Sequence, residues 1–201
     1  TSYPPLVGAS SHDDGLLLVS SAGHVLACPG PRPGSGAWPC APMAAAPVAL
    51  PAAEAGRLTA ASVTMMDGRL HAALVSESEP GLVALFAHGD AGSWLPLGEV
   101  RVPRGSGEQL GAPSVSFAGG DLLIATGEGH VVRRRLSDGA VTLSAKHEVR
   151  HQRAAWRAAC ALERPGQAPR VAHLRLRESA HASHPELLTV EVGLRTTEQF
   201  A

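Results

Sequence analysis

The chain has 201 residues, enough for one substantial domain or two small ones, and folding at this length removes about 70% of the unfolded surface from water. Its apolar fraction is 44%, but it holds only three Trp, three Phe and one Tyr, so any core must be built from Ala, Val and Leu. The net charge of −1 excludes a strongly basic or acidic chain. Twenty-two glycines and 16 prolines exceed average usage yet fall short of a disordered composition, and they point to many turns.

The first unit reads Leu6-Val7-Gly8, then Asp13-Asp14-Gly15, Leu16 to Val19, a Ser-Ser-Ala-Gly turn, His24 to Ala27, and a long loop through Trp38. Cys28 and Cys40 flank that loop; they can close a bridge between neighbouring strands in an oxidising compartment or remain two buried thiols. The stretch from Pro33 to Ala53 is uncharged, but its five prolines exclude a membrane helix, so no membrane span is expected. The opening Thr1-Ser2-Tyr3-Pro4-Pro5 lacks both Met and a secretory apolar region, and reads as a processed or excised segment. An extracellular or secretory compartment is mildly favoured, with no targeting signal to fix it.

The second unit begins at Leu58 to Thr64, turns at Asp67-Gly68, and continues through Leu70 to Val75, a Ser-Glu-Ser-Glu-Pro-Gly turn, Leu82 to Phe86, His88-Gly89-Asp90-Ala91-Gly92, and Trp94 to Val102. The third starts at Pro113 to Phe117, turns at Gly119-Gly120, and runs through Leu122 to Ala125, Gly127-Glu128-Gly129 and His130-Val131-Val132. Gly15 to Gly68 is 53 residues, Gly68 to Gly120 is 52, and Trp38 to Trp94 is 56. About 50 residues per unit with roughly four short strands each is the mark of β-propeller blades.

The fourth unit is irregular. Ala158 to Leu162, a turn at Pro165-Gly166, Val171 to Leu176 and Leu187 to Val192 follow the second unit's pattern with a strand missing or reassigned, and Arg195 to Ala201 reads as an exit segment. An Ala-rich partial 3.6-residue periodicity over Lys146 to Arg164 leaves a helix as an alternative there. The expectation is an all-β chain, a propeller or partial propeller of about four blades in a single domain over 1–201, with units near 6–56, 57–110, 111–152 and 153–194. An incomplete ring would be completed by another chain or segment.

The sharpest catalytic string is His147-Glu148-Val149-Arg150-His151, which on a helix holds zinc through His147 and His151 with Glu148 as general base. Arg150 sits where zinc proteases carry uncharged residues, and a third ligand is no better defined than Glu163 or Glu178. Glu148-Val149-Arg150 also repeats Glu99-Val100-Arg101, and on a strand residues four apart lie about 13 Å apart. The last strand of a blade is therefore the preferred reading, with zinc hydrolysis a minor one; no cofactor is expected. His24 and His130 share a repeat position, Gly-His-Val, so they either face a common ligand or simply start exposed strands. Asp13, Asp14, Asp67, Asp90, Asp121 and Asp138 fall at turns, where Asp satisfies local donors. Arg133 to Arg135 and the later arginines lack interleaved aromatics to stack on bases, so a solvated sheet face is preferred and no nucleic-acid partner is expected.

Gly68-Arg69-Leu70-His71 followed by Trp94-Leu95-Pro96-Leu97-Gly98 resembles a blade of the propeller lectins of the tectonin, fucose-binding and bacterial seven-bladed types. His88-Gly89-Asp90-Ala91-Gly92-Ser93-Trp94 is similar to a degenerate Asp-box, the turn of sialidase propellers. The resemblance covers about 35 residues and implies a propeller and sugar binding, although aromatic residues for stacking are few and the third unit lacks the tryptophan. The favoured function is a non-enzymatic binding module using propeller-face loops, with carbohydrate or glycoprotein as ligand. The candidate ligand-binding residues are Trp94, Asp90, Arg69, His71, Trp38, His24 and His130. A protein-interaction scaffold is the alternative, and a sialidase-like or zinc-dependent hydrolase comes third.

Overall fold

A computed structural model describes residues 4–12, 15–30, 39–50, 56–102, 113–118, 120–125, 131–143, 154–162, 170–178 and 188–196, with backbone alone in the last three stretches. Every regular element among them is a strand, and no helix is long and apolar enough to cross a membrane. The strands are β1 (Leu6–His12), β2 (Gly15–Ser20), β3 (Val25–Pro29), β4 (Ala41–Pro42), β5 (Leu58–Met66), β6 (Arg69–Ser76), β7 (Leu82–His88) and β8 (Trp94–Arg101). They continue as β9 (Ser114–Ala118), β10 (Asp121–Ala125), β11 (Val131–Arg135), β12 (Val141–Leu143), β13 (Ala154–Leu162), β14 (Arg170–Glu178) and β15 (Leu188–Thr196).

The strands form four consecutive antiparallel meanders, β1-β2-β3-β4, β5-β6-β7-β8, β9-β10-β11-β12 and the three-stranded β13-β14-β15. Sheets built this way, one after another and each in strict chain order, are propeller blades. The chain is an all-β protein of the propeller or partial-propeller class, with four blade-like sheets among the described residues. It divides into two compact units, Thr1–Arg101 with the first and second sheets and Val102–Ala201 with the third and fourth.

The strand patterns explain why blades form. A sheet with one wet face alternates apolar and polar residues, whereas one covered on both faces reads as a continuous apolar run. Ala72 to Val75 in β6, Leu82 to Ala87 in β7 and Leu122 to Ala125 in β10 are buried without alternation. In the first unit the core lies between the two sheets, where Leu17, Val19 and Val25 meet Ala61, Val63, Leu70, Ala72, Leu74, Ala84 and Phe86. These residues fall on one face of each sheet, since Leu17 pairs Ala27, Ala61 pairs Leu74 and Ala72 pairs Phe86.

Within each unit the first strands of the two sheets pack side by side, β1 against β5 and β9 against β13. At Gly8 the approach is so close that a Cβ would collide with the Ala61 carbonyl. Ser10 Oγ accepts the Val63 N–H at 3.3 Å and lies 3.4 Å from Ser62 Oγ, so side-chain bonds join two strands that share no backbone ladder. One extra residue bulges from β1 at Val7, from β5 at Thr59 and from β13 at Arg157, sharpening the twist of these strands.

The register corrects one detail of the repeat. Gly15 pairs His12 as the first residue of β2 and matches Arg69 and Asp121, whereas Gly68 and Gly120 are turn residues with φ of 73° and 84°. Asp67 and Gly68 both have positive φ, the backbone a two-residue type I′ hairpin requires. The helix considered for 146–164 is excluded over Ala154–Leu162, which pairs along β14, while 144–153 lies outside the described residues. Cys28 and Cys40 form a disulfide with an S–S distance of 2.05 Å.

Replacing Gly8 by Val should therefore cost about 1–3 kcal/mol, since the obstacle is backbone that cannot move aside cheaply. Denaturant unfolding checks this; an unchanged midpoint would show that β1 and β5 do not approach as described.

Candidate functional site

The candidate residues of the second sheet gather at one end of it, where β5 turns into β6 and β7 into β8. Arg69 opens β6, and Asp90 sits in the β7–β8 turn, which closes through Gly92 N–H to Gly89 C=O at 3.0 Å and Gly89 N–H to Ser93 C=O at 2.8 Å. The Arg69 Nη2 group donates to both Asp90 oxygens, at 3.1 and 3.3 Å, tying the two turns together. Both partners face solvent, with 55% and 87% of their side chains exposed.

The sheet divides this cluster between its two faces. His71, Ala87 and Leu95 are cross-strand neighbours and share one face with Arg69, whereas His88 pairs Trp94 on the other face, the one that carries Leu70 and Phe86 into the core. Trp94 packs against that core, and its indole N–H donates to the Ala46 carbonyl at 3.1 Å. The His88 ring meets Trp94 edge-on with centroids 5.1 Å apart. The structure thus separates Trp94 from Arg69, His71 and Asp90 and makes it an anchor for the 43–50 segment.

In β8, Leu95 is 52% and Leu97 is 47% exposed, whereas Ala73, Leu85 and Ala87, on the face of Arg69 and Leu95, are buried farther along β6 and β7. Leu97 is the extra residue of a bulge in edge strand β8, opposite Leu85 and Phe86, with Gly98 at φ 128°. Proline and a bulge in an edge strand hinder ladder growth onto its free side. This edge is therefore unsuited to strand addition.

His71 is half-buried, and its Nδ1 atom is buried with no hydrogen-bond partner. Desolvation pushes its pKa below the ordinary histidine value of 6.5, helped by the Arg69 charge and opposed by Asp67. His88 Nε2 is likewise buried without a partner. Sequence reasoning passed over His88; its place just before the turn, two strand positions from Phe86, is the signal that would have put it on Trp94's face.

The remaining candidates lie elsewhere. His24 is exposed in the β2–β3 turn of the first sheet, its backbone N–H donating to Ser20 Oγ at 3.1 Å, apart from the Arg69 cluster. Trp38, His130, His147, Glu148 and His151 lie outside the described residues. Asp121 departs from the expected turn role: it opens β10, is 9% exposed, and accepts from Arg133 Nε at 2.7 Å. Arg133 is thereby a paired, partly buried residue. Asp138 does perform turn duty, accepting the Ala140 N–H and an Arg135 bond, which hold its pKa low. Among the described residues no three His, Cys, Asp or Glu side chains gather to form a metal-holding group.

No family model and no curated protein matches the chain significantly. Among solved structures it is similar to a structural genomics protein of unknown function from Bacteroides thetaiotaomicron (9% identity, TM-score 0.47, covering 87% of this chain and 42% of that one). It is also similar to the Bacteroides ovatus xyloglucan PUL protein GH43B (12% identity, TM-score 0.48, covering 94% and 40%). The chain spans about two fifths of the length of each.

The lowered His71 pKa fixes the sign of a pH effect. As pH falls below 6.5 the unfolded chain takes up a proton that folded His71 refuses, so stability is lost in the window from 6.5 down to the folded value. Thermal melts between pH 7.5 and 5 should show a shallower loss for His71→Gln than for the parent protein. A His71 NMR titration midpoint at or above 6.5 would contradict the assignment.

Proposed function

We propose that the chain is a non-enzymatic binding module whose ligand surface is the exposed turn end of the second sheet, formed by Arg69, His71, Asp90 and Leu95. The ligand is a glycan or the glycan-bearing surface of a glycoprotein. The observation that carries this reading is the exposed Arg69–Asp90 pair beside the exposed Leu95. A guanidinium offers donors and a carboxylate offers acceptors, the complement that adjacent sugar hydroxyls require. Leu95 supplies the apolar contact for a sugar's C–H face. The resemblance of Gly68-Arg69-Leu70-His71 to a lectin blade supports the same choice, while the stacking role expected of Trp94 passes to Leu95.

A protein partner without glycan is the second reading. It is favoured by the joint exposure of Leu95 and Leu97 on one edge strand, because exposed aliphatics flanked by charge are common at protein interfaces.

A glycan array followed by NMR titration tests the first reading. Shifts should fall on Arg69, His71 and Leu95, and the double variant R69A/D90A should lose binding while keeping its stability to within about 1 kcal/mol, as is usual for exposed ion pairs. Trp94→Phe should still bind. No glycan bound at millimolar concentration would refute the glycan reading, and glycan binding unaffected by R69A/D90A would refute the site.

A further inference from the structure

The first sheet ends in a strap that reaches the second. β4 is two residues long, and one of them, Pro42, has no N–H to give to the ladder. The strap then runs from Met43 to Leu50 without regular structure, and a few contacts fix it. Met43 N–H donates to the Val25 carbonyl and Val48 N–H to the Gly23 carbonyl, each at 2.9 Å. The Val48 side chain is 1% exposed in the core, and Ala44 and Leu50 pack beside it. Between them, the Ala46 carbonyl receives the Trp94 indole N–H.

The Cys28–Cys40 disulfide sits at the head of this strap. β3 and β4 pair Leu26 with Pro42 and Ala27 with Ala41, so Cys28 and Cys40 occupy the next opposed positions of the same antiparallel pair. The covalent bond thus stands where a strand too short to hold itself needs a third rung.

We propose that this disulfide is a redox clasp that controls the strap and, through Ala46, the seating of Trp94. The reductant is a dithiol. Its thiolate attacks Sγ of Cys40, which is half-buried, whereas Cys28 is 2% exposed. The S–S bond breaks, Cys28 leaves as a thiolate that takes up a proton, and the second thiol of the reductant displaces Cys40 from the mixed disulfide. Two electrons pass to the protein, the dithiol becomes a disulfide, and two thiols remain. With its head released, strand β4 detaches and the Ala46 carbonyl moves away from the indole. The inference concerns the position of a side chain in the free protein, so it stands or falls independently of the ligand.

The test uses the full chain carrying Trp38→Phe and Trp156→Phe, which leaves Trp94 as its single indole. Under denaturing conditions without reductant one thiol, Cys160, should titrate, and three after reduction; three thiols before reduction would overturn the proposal. Treating the folded protein with dithiothreitol should shift Trp94 emission to longer wavelength and raise its acrylamide quenching severalfold. The variant C28S/C40S should show the loosened signal from the start and no response to dithiothreitol. Amide exchange on β6 and β7 should stay slow throughout. Unchanged Trp94 emission after verified reduction, or loss of β6–β7 protection along with it, would overturn the proposal, the latter because it means global unfolding.

Discussion

The first unit depends on one close approach, that of β1 to β5. Successive blades can share a core only if their first strands converge, and here convergence is set by the missing side chain at Gly8 against the Ala61 carbonyl. Residues on both faces of β6 and β7 are buried, which is why these strands carry unbroken apolar runs. Ser10 adds direction to the contact, because its hydroxyl accepts the Val63 N–H and so gives that donor a partner where the strands meet without a ladder.

That arrangement constrains everything further out. Because Leu70, Phe86 and Trp94 must face the core of the first unit, the alternating residues Arg69, His71 and Leu95 face the other way. The Trp94 indole is thus spent on holding the strap after β4, and what stays exposed at the turn end is an ion pair with an aliphatic neighbour. The bulge at Leu97 and the proline before it keep that edge from acting as a template for another strand.

The meanders were legible in the sequence because short-range chemistry writes them. Asp67-Gly68 and Gly119-Gly120 punctuate apolar runs at a spacing near 52 residues, a period that marks repeated strand meanders. The facing of Trp94 was not legible, since it depends on the register with His88 and on a bulge that no single residue announces. The disulfide stayed open because a spacing of 12 suits either a bridge across a loop or two separate thiols; the β3–β4 pairing decides it. Over Ala154–Leu162, alanine's helix preference, tenths of a kcal/mol per residue, gave way to a ladder with β14 along the whole segment. Asp121 was read as a turn residue because it follows Gly119-Gly120; one position further along, it became a buried partner for Arg133.

The central claim is that β1 and β5 meet directly, with Gly8 over Ala61 and Ser10 over Val63. The most direct measurement is a nuclear Overhauser spectrum of the labelled protein. Cross-peaks between the Gly8 α-protons and the protons of Ala61 and Ser62, together with one from the Ser10 β-protons to the Val63 amide, are the predicted result. Their absence, with the β1–β2 and β5–β6 ladder cross-peaks present, would contradict the account, because each hairpin would then exist without the contact that makes them neighbouring blades.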